Sequence, residues 1–227
     1  MMEKQLKGIF LLSVLRILQE KSSFSVDELA NMLLVPKNDV MKYLNTLLDE
    51  GLVNKDQREF TVKQPQKIMI GVKAVESGYT IETVSRYLSW EDFEKMVQTI
   101  FDFKGYKTIT HKRLKVEKKI FEIDILAFNE NLCFCVDCKH WKYGLNRSRI
   151  SEITKRQAER ARLASFSLRK IDEKIAENTL VIPLIVTLTE VPYKTFNMVP
   201  LVPVLKLKSF LEGVQGCLQN IVTFKVS

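Results

Sequence analysis

Residues 132–141, LCFCVDCKHW, set the architecture of the second half of the chain. The run is apolar but short, which suits a buried strand better than a helix. Asp137 and Lys139 interrupt it two residues apart, so on a strand they share a face. Cys133, Cys135 and Cys138, with His140 close behind, have the residue types of a zinc site. Zinc pairs, however, sit at Cys-x2-4-Cys turns. Alternation along a strand puts Cys133 and Cys135 on one face and Cys138 on the other, so we read a strand and no zinc centre.

On the N-terminal side, residues 121–128 (FEIDILAF) form a second apolar strand, interrupted by Asp124. Twelve residues separate Asp124 from Asp137, a spacing that suits a hairpin holding both carboxylates at one end. Strand-like segments are expected at about 106–116, 119–128 and 131–140, then a long helix from Ser148 to Leu168. A buried strand at 180–188, a further one at 199–205 and a last helix near 208–219 complete the pattern. Before them, Ser89 caps a helix with Asp92 in the reciprocal position, and Gly105 ends it. The expected inward stripe of that helix is Trp90, Phe93, Val97, Ile100 and Phe101, with Glu94 on its border. On the long helix, Ile150, Ile153, Ala161, Ala164 and Leu168 define the apolar stripe, and Gln157 falls on it. Residues 89–227 therefore read as a mixed-sheet α/β domain.

Residues 1–63 read differently. An apolar run at 8–18 (GIFLLSVLRIL) forms the first helix; Arg16 within it and the polar residues after it argue against a signal peptide. We expect a cytoplasmic protein, and no stretch reaches the ~20 apolar residues of a membrane span. Ser25 with Glu28 marks the start of a second helix. Pro36 stands where a third would begin, with Val40, Leu44, Leu47 and Leu48 as its stripe and Gly51 as its stop. A hairpin follows: Leu52-Val53, a polar tip at 54–59, then Phe60-Thr61-Val62. Residues 64–88 read as a helical connector.

Charge is unevenly distributed. The chain has 35 Lys/Arg against 27 Asp/Glu, a formal net charge of +8, yet residues 1–64 hold nine of each. Residues 104–174 hold eighteen basic against nine acidic residues. A positive field placed there is the footprint expected for a polyanion, because each neutralised phosphate releases a counterion.

Glu94, Asp124, Asp137, Lys139 and Gln157 each admit a structural explanation singly, as an ion pair, a strand cap or a satisfied core amide. Their order on helix, strand, strand and helix resembles the PD-(D/E)xK superfamily of restriction-endonuclease-like nucleases, particularly the Mrr-type enzymes and archaeal Holliday-junction resolvases. The resemblance covers about residues 88–210 and rests on WEDFEKMV, EIDIL, VDCKHW and KRQAER. Ile123 replaces the family's frequent proline, Asp137 stands where glutamate is commoner, and the glycines that often precede the first aspartate are missing. The first 63 residues, above all DVMKYLNTLLDEGLV and the hairpin after it, resemble a winged-helix domain.

The resemblance implies an α/β restriction-endonuclease-like core behind an α+β winged-helix domain, and a metal-dependent DNA endonuclease. It implies Mg2+ or Mn2+ held by Asp124, Asp137 and the carbonyl of Cys138, with Glu94 acting through a metal-bound water. Lys139 would serve the attacking water and the phosphate, and Gln157 would position Lys139 or the DNA. Lys112, Arg113, Lys115, Lys142, Arg147, Arg149, Arg156 and Arg160 are the expected DNA contacts around the core, with Lys37 and Lys42 on the third helix. DNA is the expected partner, a homodimer the expected assembly, and no phosphate-binding loop calls for a nucleotide cofactor. The competing readings are a non-catalytic DNA-binding or regulatory protein on a degenerate nuclease fold, and a winged-helix transcription factor with a sensor domain. The second does not explain where the positive charge lies.

Overall fold

The computed structural model describes residues 2–116, 119–139, 146–173, 175–188 and 190–226. The chain divides into two compact units, Met1–Lys95 and Met96–Ser227, each described by itself.

In the first unit, α1 (Met2–Glu20) is followed by β1 (Ser23–Ser25), α2 (Val26–Leu33), α3 (Lys37–Asp49), β2 (Asn54–Asp56) and β3 (Glu59–Thr61). The apolar run of α1 supplies core rather than a membrane segment: Phe10, Leu11, Val14, Leu15 and Ile17 are buried. No helix among the described residues is long and apolar enough to cross a membrane. Ser25 and Glu28 form the expected reciprocal cap of α2. Gly51, at φ +68°, takes the left-handed conformation that ends α3 and that a Cβ would disfavour. The hairpin is tighter than its sequence suggests. Leu52 and Val53 are buried and precede the strands, and the expected polar tip supplies β2 itself, leaving Gln57-Arg58 as the turn. A third strand, β1, joins the other face of β3 to give the order β1-β3-β2. Phe24 and Phe60, paired in that register, stack at 5.8 Å.

Residues 64–88 build α4 (Gln64–Glu76) and α5 (Ile81–Ser85), and their Ile70, Ala74, Val84 and Leu88 share one core with α1 to α3. Gly8 on α1 explains the closeness of that packing, since a Cβ there would lie 2.6 Å from the Tyr79 ring. The helix α6 (Trp90–Phe103) spans the division between units. Ser89 and Asp92 cap it reciprocally at 3.1 and 2.8 Å. Trp90 departs from the expected inward stripe: it is exposed, and its indole instead donates to Glu94.

The second unit is a mixed α/β fold around a seven-stranded sheet. Its elements are β4 (Lys107–Val116), β5 (Lys119–Phe128), β6 (Leu132–Lys139), α7 (Arg147–Ser165), α8 (Leu168–Ile171), β7 (Leu180–Thr187), β8 (Thr195–Phe196), β9 (Val199–Pro203), α9 (Val204–Gly213), a 3-10 segment at Val214–Asn220 and β10 (Phe224–Lys225). The strand order is β4-β5-β6-β7-β9-β8, with β10 also on β7. β4, β5 and β6 are antiparallel neighbours, whereas β6, β7 and β9 run parallel. Central parallel strands are covered on both faces, which is why β6 and β7 are buried along almost their whole length rather than at alternate residues. Pro183, unusual in a central strand, falls where pairing with β10 has ended at Val181 and pairing with β9 has not begun at Ile185.

One face of the sheet carries α7, whose Ala161 and Ala164 pack with Leu126, Cys133 and Cys135. Phe134, on the opposite face of β6, sits 5.4 Å from both Phe101 and Tyr106 and 6.4 Å from Phe210 of α9. The long helix begins before the expected Ser148 because Asn146, not Ser148, caps it, and it ends at Ser165. The last helix starts at Val204 rather than 208, and breaks into the 3-10 segment.

Candidate active site

The two aspartates meet because of register. β5 and β6 pair through Ile125–Val136, so the next opposed positions are Asp124 and Asp137. The ladder stops there. Instead of continuing backbone to backbone, Asp124 Oδ2 accepts the Cys138 N–H at 2.8 Å. On its other side, β4 pairs through Thr110–Ile125 and Lys112–Ile123, leaving His111 opposite Asp124 with φ at +50°. A left-handed non-glycine residue inside a strand bends it locally. The hairpin thus distorts at the point that carries the carboxylate.

Asp137 is 3% exposed, and a buried carboxylate needs charge partners. Lys139, on the same strand face, places Nζ 2.8 Å from Oδ1 and 2.8 Å from Oδ2. Arg160 of α7 places NH1 2.9 Å from Oδ1. Burial pushes the Asp124 carboxyl above the usual carboxylate range; the neighbouring Asp137 charge adds to this, while the Cys138 N–H, Lys139 and Arg160 oppose it. The arrangement is two carboxylates and two cations, with one carboxylate left under electrostatic pressure.

Gln157 lies beneath this group, 1% exposed. Its Nε2 donates to the Cys135 carbonyl at 2.6 Å and to Leu184 at 3.4 Å, so it ties α7 to β6 and β7. These bonds anchor the backbone two residues ahead of Asp137. Its Oε1 is buried without a hydrogen-bond partner. Glu94, 5% exposed, accepts the Trp90 indole N–H at 2.7 Å and belongs to the first unit, so it is not counted with the cluster of the second.

The cysteines are strand residues: Cys133, Cys135 and Cys138 are all buried on β6. Burial pushes the Cys133 and Cys135 thiols up, away from the thiolate form that zinc requires. Among the described residues no group of three or more His, Cys, Asp or Glu gathers as a metal cluster. The donors that do stand together, Asp124 and Asp137, are hard oxygens. Such a pair suits a cation that keeps several waters, as Mg2+ does, and the raised Asp124 carboxyl marks negative charge that such a cation would offset.

Residues 85–167 match the Mrr-type restriction endonuclease catalytic family. The chain carries a restriction-endonuclease-like nuclease domain. The matched segment contains α6, β4 to β6 and α7, and so includes all five residues expected to do chemistry. No curated protein matches the chain. Among solved structures, protein VC1899 from Vibrio cholerae aligns at 10% identity and a TM-score of 0.40, covering 96% of this chain. The chain spans about half of that protein, 52%, and a likeness this low supports no argument about either.

Around the nuclease domain's site the expected basic residues divide by position. Arg149 and Arg156 line a cleft of about 640 Å3 together with Lys139, Asn146 and Ser148. Arg147 and Lys155 line another of about 780 Å3 with Ser151, Phe196 and Asn197. Both open along the N-terminal half of α7. Lys112, Arg113 and Lys115 lie on β4, Arg113 pairing with Glu122 at 2.8 Å. Lys142 lies outside the described residues. Arg160, also expected among the DNA contacts, donates to Asp137. Its place three residues after Gln157 on the same helix was the available signal: that spacing puts it on the neighbouring surface. Lys37 and Lys42 on α3 of the first unit pair with Asp27 and Asp39.

Proposed function

We propose that the protein is a metal-dependent DNA endonuclease whose reaction is carried by Asp124, Asp137 and Lys139. The observation behind this reading is the opposed pair of carboxylates at the parting of β5 and β6, with Lys139 on the same face as Asp137. Phosphodiester hydrolysis needs positive charge around a phosphate that repels nucleophiles, and a group that handles the proton of the attacking water. Asp124 and Asp137, with the Cys138 carbonyl, would hold the cation. Bound there, a divalent ion supplies a Lewis acid and lowers the pKa of a coordinated water.

Lys139 would orient the attacking water and meet the charge that develops on the phosphate oxygens. The Cys138 N–H holds Asp124 in position, and Gln157 holds β6 beneath Asp137. Arg147, Arg149, Lys155 and Arg156 receive backbone phosphates along α7, which positions DNA without reading its sequence.

We read residues 1–63 of the first unit as a winged helix. Its helix-strand-helix-helix-hairpin order and its β1-β3-β2 sheet support this. Its role is DNA targeting or dimerisation. The ion pairs that occupy Lys37 and Lys42 favour a protein contact over a strong DNA contact by α3. A homodimer would supply the two sites needed to cut both strands.

The experiment is cleavage of supercoiled plasmid in Mg2+, Mn2+ or EDTA by the wild type, Asp124→Ala and Lys139→Ala. Nicking that needs metal and is lost in both variants is the expected outcome. DNA binding without cutting of plasmid, branched or modified DNA would transfer the case to the non-catalytic DNA-binding reading.

A further inference from the structure

We propose that Arg160 is a phosphate-gripping residue held in reserve on Asp137, and that it competes with the divalent cation for Asp137 Oδ1. This rests on the nuclease reading and adds a residue and an order of events to it.

Asp137 has more positive charge than one carboxylate needs. Lys139 already spans both of its oxygens at 2.8 Å, and Arg160 adds a second cation at Oδ1. With Asp124 beside them the local charges balance at two of each sign. A divalent cation brought into that group would leave an excess of positive charge against Asp137, which is 3% exposed. Such an excess is costly, and one resident cation must leave.

Arg160 is the one free to go. Lys139 projects from the same strand face as Asp137, two residues away, and reaches both carboxylate oxygens. Arg160 comes from a different element, touches Asp137 through NH1 at Oδ1, and keeps 28% of its side chain exposed. The helix that carries it is pinned: Gln157, one turn earlier, donates to the Cys135 carbonyl at 2.6 Å. The side chain therefore moves while α7 stays in place.

Its destination lies along the same helix. Arg156, four residues before Arg160, lines the cleft that also contains Lys139 and Arg149. A released guanidinium joins this row, and its planar fork matches a phosphate through two parallel hydrogen bonds, which a lysine does not offer. The cation and Arg160 then share the work: the cation takes Asp137, and Arg160 takes the phosphate.

The test uses the full chain and Mn2+ alone as probe, by isothermal titration, on wild type, Arg160→Ala and Arg160→Gln. Arg160→Gln keeps much of the stem and its packing without the charge, should the alanine variant fail to fold. We expect either variant to bind Mn2+ about tenfold more tightly than wild type, a usual size for coupling between two occupants of one site. The same variants should cut plasmid at least about tenfold more slowly at saturating Mn2+, the size of effect a lost charge-stabilising contact has. Tighter metal with slower cutting is a combination that a merely structural arginine would not produce.

An unchanged or weakened Mn2+ affinity in a variant that keeps its circular dichroism spectrum overturns the proposal, and plasmid cutting by the wild type then leaves the nuclease reading standing. Binding in the variants but not in the wild type supports the proposal. Binding in none of them overturns both. A measurement without substitution adds to this: the Arg160 Nε–H resonance of the wild type should shift as Mg2+ is titrated. A resonance unmoved while Mg2+ binds at Asp124, with that binding lost in Asp124→Asn, sinks the idea.

Discussion

Asp124 Oδ2 accepts the backbone N–H of Cys138 at 2.8 Å, so a side chain of β5 takes over where the β5–β6 ladder ends. This bond does two things at once. It satisfies an N–H at the parting of two strands, which would otherwise lose its ladder partner. It also fixes one carboxylate beside a second, in surroundings that push its carboxyl above the usual range. A site that strains one of its own charges has a use for a cation.

That strain predicts a stability effect of Asp124→Asn. The amide keeps an oxygen for the Cys138 N–H and removes a charge that burial and Asp137 disfavour. In EDTA at pH 8 the variant should melt about 2–4 °C above the wild type, the shift that ~1 kcal/mol produces in a chain of this size. It should also lose cleavage. A melting temperature below that of the wild type would mean that the charge is well solvated and that the site is not poised for metal.

Gln157 predicts a loss confined to stability. Substitution by alanine opens a cavity under α7 and strips donors from the Cys135 and Leu184 carbonyls. Urea unfolding should show a cost of about 2–4 kcal/mol. Gln157→Leu should recover part of this by filling the space and removing the unpartnered Oε1. If alanine cost under about 0.5 kcal/mol, a size usual for surface changes, the anchoring role would be wrong.

Arg149 and Lys42 separate the contributions of the two units to DNA binding. Arg149→Ala, at the cleft beside Lys139, should weaken binding to all sequences alike and lower the slope of log K against log salt by about 0.9. Lys42→Ala, whose ammonium already pairs with Asp39, should change that slope by less. Fluorescence anisotropy over a salt series reads both. A larger change for Lys42 would make the first unit the main DNA contact.

Glu28 gives a pH dependence. The Lys21 side chain, followed by the Ser25 backbone N–H, holds its carboxyl below the usual range. A carboxyl depressed in the folded state adds stability above its unfolded pKa, and this is lost as pH falls through the folded value. At pH 7 Glu28→Gln should therefore melt slightly lower than wild type. The two should converge below about pH 4, under the ordinary glutamate value of roughly 4.3. Curves that stay parallel down to pH 3 would show that the carboxylate charge is not what matters. The pair is largely solvent-exposed, so a shift of no more than about 2 °C is expected.

Much of the candidate site's geometry was legible in the sequence because strand alternation and hairpin spacing are local properties. Asp137 and Lys139 had to share a face, and twelve intervening residues placed Asp124 opposite Asp137. The caps at Ser25 and Ser89 were readable for the same reason: each is a bond between residues three apart. Trp90 was misread because helical spacing cannot tell an inward ring from an exposed one whose indole N–H bonds Glu94. The hairpin boundaries were misread because polarity marked residues 54–59 as a tip, although exposed strands are also polar.

Period and short-range spacing thus carried the longer strands and helices, the class of the second unit, and the shared face of Asp137 and Lys139 opposite Asp124. Only the tertiary structure decided that β1 completes the small sheet, that residues 64–88 join the first core, and that Gln157 anchors backbone. It alone placed Arg160, 23 residues after Asp137, on that carboxylate. The physical reason is that pairing between distant charges depends on which helix covers which face of the sheet. That choice is made by packing of the whole core, and no local pattern records it.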